Sequence, residues 1–254
     1  MFTKEEKENY QKRYLDLCEL TFRNNHSFNI TTLTIVFQVN NPIDIQKLYS
    51  VIDDDTLNKQ MAKNSDDFRM TKRRKVIQVF FNQLSLSFED WSKKVIKIFA
   101  NGKVHITGIA SLYDFDNACD VVMSLLRTKL SKSYDTIGGK TKVVMINCTI
   151  DCGHALSLHT LCDQQTSKNG MCPHQKITAV SYCPERYPAV KVKMERSSAF
   201  LFRTGKIIIT TNSMENMMNM YQALHLEKGS VRHQKLATEH YCGYGLKAIT
   251  NCLM

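Results

Sequence analysis

Two short segments of the chain carry aromatic, basic and hydroxyl side chains in the same order. Phe99–Thr107 and Phe202–Thr210 share Phe, Gly, Lys and Thr at one offset, since 205 − 102 = 103. An aromatic ring offers an apolar surface for stacking, an ammonium group binds anions, and a hydroxyl group can donate or accept a hydrogen bond. The recurrence predicts two copies of one structural unit whose chemistry is non-covalent binding.

Catalytic sequence patterns are missing from the chain. It contains no Gly-x-x-x-x-Gly-Lys-Ser/Thr loop, no His-Glu-x-x-His and no Gly-x-Ser-x-Gly. Its carboxylates are scattered over predicted helices and loops. The sequence therefore predicts a protein that is not an enzyme and that uses no cofactor.

The charge balance favours an anionic partner. The 254 residues carry a formal net charge of +10, which suits DNA, RNA or an anionic membrane surface, although many basic intracellular proteins have no such partner. No apolar run approaches the roughly 20 residues that span a bilayer, and the charged N-terminus does not resemble a signal peptide. We therefore expect a soluble, intracellular protein, in which the nine cysteines are reduced thiols.

Periodicity predicts the same order of elements twice, and hence an α+β protein. After a charged extension at 1–28, helical over about 4–20, come a strand at 29–37, a helix at 43–52, strands at 76–81, 84–88, 94–99 and 103–107, and a helix at 111–126. After Gly138-Gly139 come a strand at 142–150, a helix at 155–162, strands at 176–182, 189–194, 198–202 and 206–211, and a helix at 214–226. The predicted segments are 1–28, 29–137 (first repeat), 138–228 (second repeat) and 229–254 (tail).

The two hairpins, IFANGKVHITG at 98–108 and LFRTGKIIITT at 201–211, resemble the Phe-x-x-Gly-Lys-x-x-x-Thr hairpins in the two halves of the TATA-binding protein core. The duplicated order of elements is also similar to that family, over roughly residues 28–228. The divergence resembles that of relatives carried by large DNA viruses. The resemblance implies two tandem pseudo-repeats that form a saddle of curved antiparallel sheet, with helices on the convex face.

The resemblance also implies a way of binding DNA. The sheet of that family lies on the minor groove, and Phe wedges unstack base steps and bend the duplex. It assigns the wedge positions to Phe81, Phe99, Tyr187 and Phe202. It assigns contacts with bases or phosphates to Asn29, Lys103, Thr107, Lys193, Lys206, Ile208 and Thr210.

Several positions depart from the family pattern. Tyr187 brings a hydroxyl group to a wedge position, and Ser87 stands where the second half has Lys193. Val144 is taken as the counterpart of Asn29, so that the symmetric Asn pair is lost. His105 falls where an apolar residue such as Ile208 is expected. These departures leave the fold assignment unchanged and weaken the expectation of standard TATA recognition.

The predicted function is a TATA-binding-protein-like initiation factor. It would bind and bend A·T-rich promoter DNA and help to recruit a B-type general factor and RNA polymerase, without a membrane. The predicted compartment is the host nucleus or a cytoplasmic viral factory, with packaging in the virion as a further option. Two alternatives stay open: a protein-interaction scaffold with little specific DNA binding, and a non-specific single-strand binder.

Two further groups of residues can be explained either by a function or by ordinary folding and solvation. Zinc prefers closely spaced ligand pairs, which the second-half set matches imperfectly, so that no metal is predicted. That set is Cys148, Cys152, Cys162, Cys172, His174 and Cys183. Lys72–Lys75 reads as a nuclear-localisation signal, a phosphate-binding patch or a solvated loop.

Overall fold

The structure is a computed structural model that describes residues 1–52, 67–69, 83–89, 93–167 and 177–226. The helices are α1 (Lys4–Arg23), α2 (Ile45–Val51), α3 (Leu112–Leu130), α4 (Leu158–Ser167) and α5 (Met214–Ala223). The strands are β1 (Ser27–Gln38), β2 (Asp67–Arg69), β3 (Gln83–Glu89), β4 (Lys93–Phe99), β5 (Lys103–Ile109), β6 (Lys142–Asp151), β7 (Ala179–Cys183), β8 (Tyr187–Met194), β9 (Ser197–Phe202) and β10 (Lys206–Thr211).

The strands follow the same connectivity in both halves of the chain. The order of hydrogen-bonded neighbours is β2-β3-β4-β5-β1-β6-β10-β9-β8-β7. Thus β1 lies beside β5 as β6 lies beside β10, and three further strands follow in each half: β4, β3 and β2 in the first, and β9, β8 and β7 in the second. The pairs β1–β5, β2–β3, β3–β4, β4–β5, β7–β8 and β8–β9 are antiparallel. Antiparallel strands combined with helices confirm the predicted α+β class.

The chain divides into two compact units. The first contains Met1–Leu15, Ile30–Cys148 and Thr210–Asn219, and the second contains Asp16–Asn29, Thr149–Ile209 and Met220–Met254. The four segments predicted from the sequence, with boundaries after residues 28, 137 and 228, stay a prediction.

The core of the first unit is built by strict alternation. Ile96 and Ile98 of β4 and Val104 and Ile106 of β5 are completely buried, while the residues between them are half-buried or exposed. Helix α3 buries Phe115 and other apolar residues. Since successive side chains of a strand point to opposite faces, one face of this sheet is packed and the other is open.

A buried ion pair joins the sheet of the first unit to α3. Lys94 Nζ lies 3.0 Å from Asp114 Oδ1, and the two side chains are 0% and 2% exposed. The other carboxylate oxygen of Asp114 accepts a hydrogen bond from the Ala110 N–H at 3.0 Å. Ser111 caps α3 by accepting a hydrogen bond from the Asp114 N–H at 3.1 Å. Lys94 is thus a core residue, although it lies in a strand rich in surface lysines.

The second unit repeats the alternation. Val190 and Val192 of β8, Leu201 of β9, and Ile207 and Ile209 of β10 are completely buried. In β8 and β9 the residues of opposite parity, with the exception of the covered Ala189, are half-buried or exposed. This unit therefore also has a packed face and an open face.

Both predicted hairpin turns are present. Gly102 and Gly205 have φ of 81° and 90°, a conformation that favours glycine. Each donates its N–H at 3.0 Å to the carbonyl of the wedge candidate before the turn, Phe99 or Phe202. The turns are confirmed, and they hold Lys103 and Lys206 at the start of the returning strands.

Some predicted boundaries are wrong by a few residues. Helix α2 begins at Ile45 rather than at 43, because the Asp44 carboxylate caps it by accepting a hydrogen bond from the Lys47 N–H at 2.9 Å. Helix α4 begins at Leu158 rather than at 155, because the Leu156 N–H donates a hydrogen bond to the Arg203 carbonyl instead of joining a helical turn. The strand predicted at 76–81, the basic run Lys72–Lys75 and the tail at 229–254 lie outside the described residues.

Candidate nucleic-acid interface

The open face of the first unit is formed by alternate residues of neighbouring strands. On β4 and β5 these are Val95, Lys97, Phe99, Lys103, His105 and Thr107. Cross-strand register sets Lys97 opposite His105, and it sets Val36 of β1 and Ser85 of β3 at the ends of the same row. An alternating strand pair thus places predicted site residues on one surface.

Phe99 lies at the edge of this face. It is the last residue of β4, is half-buried, and packs its ring at a tilt against His105 with centroids 5.0 Å apart. Lys103, which follows the turn, is exposed. A rigidly backed aromatic ring beside an exposed ammonium group suits contact with a base step and its phosphate.

His105 has a perturbed acidity. Partial burial, followed by the positive charges of Lys103 and Lys97, lowers its pKa from the usual 6.5. The imidazole is therefore neutral at pH 7 and carries one donor nitrogen and one acceptor nitrogen.

Two hydroxyl groups at equivalent positions have polar neighbours within the first unit. Thr107 Oγ1 lies 3.1 Å from Thr34 Oγ1, and Thr210 Oγ1 donates to Asn147 Oδ1 at 2.8 Å. Sequence reasoning overlooked Asn147 and took Val144 as the position of interest in that strand. The sequence did contain a signal, because Asn147 is a polar residue between two apolar ones, Ile146 and Cys148. The structure buries both of these neighbours.

The open face of the second unit carries an aromatic cluster. Tyr187, which is 47% exposed, has its ring 5.5 Å from that of Phe200 and 6.0 Å from that of Phe202, both edge to face. Phe202 lies opposite the covered Ala189. Sequence reasoning named Tyr187 and Phe202 but missed Phe200, which the alternation Phe200-Leu201-Phe202 places on the same face as Phe202.

Basic and apolar side chains also lie on the strands β8 and β10, on either side of β9. Lys191 Nζ lies 5.2 Å from the centre of the Phe200 ring. Lys193 and Lys206 are exposed, and Ile208 is 38% exposed. Lys193 is the cross-strand partner of Ser198, and Ser87 is the cross-strand partner of Val95. Ser198 and Val95 are equivalent positions of the two repeats, since 198 − 95 = 103. Ser87 and Lys193 therefore occupy equivalent positions in the two halves, as the sequence had indicated.

Two further predicted site residues are Asn29 and Phe81. Asn29 is an exposed residue of β1 in the second unit. Phe81 lies outside the described residues. The DNA contacts assigned to these and the other predicted residues stay predictions.

The described part of the cysteine cluster is partly buried. Burial, followed by the charge of Asp151, raises the pKa of the Cys152 thiol to about 12. Cys148 is also buried, while Cys183 is exposed. Over the described ranges no three potential His, Cys, Asp or Glu ligands come together; Cys172 and His174 lie outside those ranges.

Among the helices in the described part of the chain, none is both long and apolar enough to span a bilayer.

These features define an α+β protein with aromatic and basic side chains on open faces of antiparallel sheet. A sequence profile of the family described as transcription factor TFIID (or TATA-binding protein, TBP) matches residues 140–225. A TATA-box-binding protein-like protein of Acanthamoeba polyphaga mimivirus is 21% identical over 252 residues, which cover 85% of this chain and 68% of the relative. The solved structure of Methanococcus jannaschii TBP aligns with a TM-score of 0.51 and 16% identity, covering 77% of this chain and 94% of that chain.

Residues 140–225 therefore match the TATA-binding protein family, and the chain is similar to a TATA-box-binding protein-like protein of a virus and has the fold of an archaeal TBP. The predicted resemblance and fold class are confirmed. The similarity supports a DNA-binding or transcription-related role of the TBP type.

Proposed function

We propose that the chain is a transcription initiation factor that binds promoter DNA through the minor groove and bends it. The observation that carries the proposal is the repeated hairpin end. Phe99 and Phe202 are both half-buried residues that end a strand, and each precedes a glycine turn and an exposed lysine, Lys103 or Lys206.

The arrangement suits a wedge mechanism. A Phe ring inserted at a base step costs a few kcal/mol of unstacking, which the added contacts with bent DNA offset. The lysines contribute by releasing counterions from phosphates, and they act with little regard to sequence. Thr107 and Thr210 lie on the same strands as these lysines, where hydroxyl groups can meet base-edge acceptors. Such binding needs no cofactor and no catalytic group.

The partners proposed for this activity are A·T-rich promoter duplexes, a B-type general transcription factor and RNA polymerase. The proposed compartment is the host nucleus or a cytoplasmic viral factory, with packaging in the virion as an option. The match to the TBP family profile and the net charge of +10 support the choice of a nucleic acid.

A bending assay tests the proposal. We expect fluorescence energy transfer across a short A·T-rich duplex to report a bend with the natural chain, a smaller bend with Phe99→Ala or Phe202→Ala, and none with the double variant. The salt dependence of affinity should stay nearly the same, because wedges act through deformation and lysines through counterion release. The control is Phe22→Ala, which removes a 60% exposed ring on α1. No binding or bending by the natural chain would refute the proposal.

A second function is favoured by the cluster of Tyr187, Phe200 and Phe202. Exposed aromatic rings beside lysines bind single strands, since every base has a face that can stack. Competition between a duplex and its separated strand distinguishes the two functions. Preference for the single strand would favour this alternative, and capture of transcription proteins without any DNA affinity would favour the interaction scaffold.

A further inference from the structure

The open faces of the two units match residue by residue but differ at two positions. The offset of 103 pairs Phe99 with Phe202 and preserves the lysine and threonine after each turn. It also pairs Lys97 with Phe200 and His105 with Ile208, since 200 − 97 = 103 and 208 − 105 = 103. Lys97 and His105 are direct cross-strand partners. The first unit thus has a polar patch where the second unit has apolar side chains.

His105 is placed so that it can make a polar contact with a ligand. It is half-buried on the open face, with Phe99 on one side and with Lys97 and Val36 opposite on the adjacent strands. Within the residues that the structure describes, neither of its ring nitrogens has a hydrogen-bond partner. Its neutral form therefore offers both a donor and an acceptor to whatever covers this face.

The chemistry of the minor groove gives that acceptor a specific use. An A·T pair presents only acceptors there, whereas a G·C pair adds the guanine N2 amino donor. An isoleucine cannot accept that hydrogen bond, and a donor buried without a partner is costly. An imidazole acceptor removes the penalty, while the donor nitrogen can serve the acceptors of either pair.

We propose that His105 accepts a hydrogen bond from the guanine amino group, so that the DNA under the first unit tolerates a G·C pair where the DNA under Ile208 must be A·T. The inference rests on the proposed function and makes the two halves of the binding site unequal. His105 is then a specificity-determining residue, and the chain binds an asymmetric site in one preferred direction.

The test uses duplexes in which one A·T pair at a time is replaced along an A·T-rich site. Each position is examined as G·C and as inosine·C, which lacks only the N2 amino group. With the natural chain we expect at least one position where G·C binds within about twofold of A·T, and others where it binds roughly tenfold more weakly and inosine restores affinity.

Exchange variants then assign the tolerance to a residue. His105→Ile should make G·C roughly tenfold weaker at the tolerant position, with inosine·C restoring affinity. Ile208→His should create tolerance at a formerly intolerant position. Each variant is judged by the ratio of its G·C affinity to its own all-A·T affinity, and circular dichroism melting checks that it folds.

The outcomes separate the two proposals. If the natural chain binds no duplex, the proposed function fails and this inference fails with it. If the chain binds and bends the all-A·T duplex but His105→Ile changes no G·C penalty, the inference is wrong and the proposed function stands. The same conclusion follows if inosine does not restore affinity, because the amino group is then not what His105 detects.

Protonation supplies a second readout. The charged groups facing His105 are Lys97 on β4 and Lys103 on β5, while β1 contributes Val36. Because burial, followed by the charges of these lysines, lowers the pKa of His105 from 6.5, tolerance of G·C should persist at pH 7 and disappear only below about pH 6.5, when the acceptor nitrogen is protonated. Affinity for the matching inosine·C duplex should show no such loss, and a parallel loss for both would contradict the inference.

Discussion

At the scale of single residues, Gly205 shows how tightly the second hairpin is held. Its φ is 90°, and a Cβ atom built on it would lie 2.1 Å from the carbonyl oxygen of His154. Its own carbonyl accepts a hydrogen bond from the Cys152 N–H at 3.0 Å. The turn that positions Phe202 and Lys206 is therefore backed by the segment after β6, which leaves no space for a side chain.

Gly205→Ala should lower the free energy of unfolding by about 2–3 kcal/mol, because it combines an unfavourable backbone conformation with a steric clash. Urea denaturation measures the change. Gly138→Ala is the matched control, since a Cβ atom there meets nothing within 4 Å and the backbone has no positive φ. Equal stability of the two variants would show that the turn relaxes without cost.

At the scale of elements, the buried pair of Lys94 and Asp114 links β4 to the first turn of α3. The Nζ to Oδ1 distance is 3.0 Å, and Asp114 also holds the approach to the helix through the Ala110 N–H. The pair therefore ties α3 to the strand that ends at Phe99. A buried ion pair is weak evidence of stability, but breaking it by removing one partner is expensive.

Lys94→Met should reduce the free energy of unfolding by about 3–5 kcal/mol, because it leaves the Asp114 charge buried without its partner. The double variant Lys94→Met with Asp114→Asn removes that charge and keeps an acceptor for Ala110, and it should recover part of the loss. Chemical denaturation of both variants is the measurement. If the double variant were no more stable than the single one, the buried charge would not be the cause.

At the scale of the whole molecule, the net charge of +10 is a statement about association rather than fold. Lysines at the two hairpins, Lys103 and Lys206, are exposed at equivalent positions. Under the proposed function each neutralises one phosphate, and its contribution should be visible in the salt dependence of binding.

Replacing Lys103 and Lys206 together by Ala should reduce the slope of log K against log salt concentration by about 2, since each phosphate contact contributes about 0.9. Fluorescence anisotropy with an A·T-rich duplex at several salt concentrations gives the slope. Lys4→Ala, an exposed lysine of α1, is the control and should leave the slope unchanged. An unaltered slope in the double variant would place both lysines away from phosphates.

Much of the fold could be predicted because its signals are local. The alternation in β4, β5, β9 and β10 and the glycine turns between them depend on neighbouring residues, and the recurrence at one offset indicated the family. Helix starts were less accurate, because α2 is set by the Asp44 cap and α4 by a backbone contact with Arg203. Those are competing interactions that periodicity does not contain.

The sequence by itself determined the two hairpins, their wedge candidates and the contrast between His105 and Ile208, because these follow from residue type and spacing. Only the tertiary structure decided that Lys94 is buried with Asp114, that Asn147 meets Thr210, and that Phe200 joins Tyr187. Alternation divides a strand into two faces, but it does not state which neighbours pair across strands or which face is covered. Register and packing supply that information, and they give the two similar hairpins chemically different surroundings.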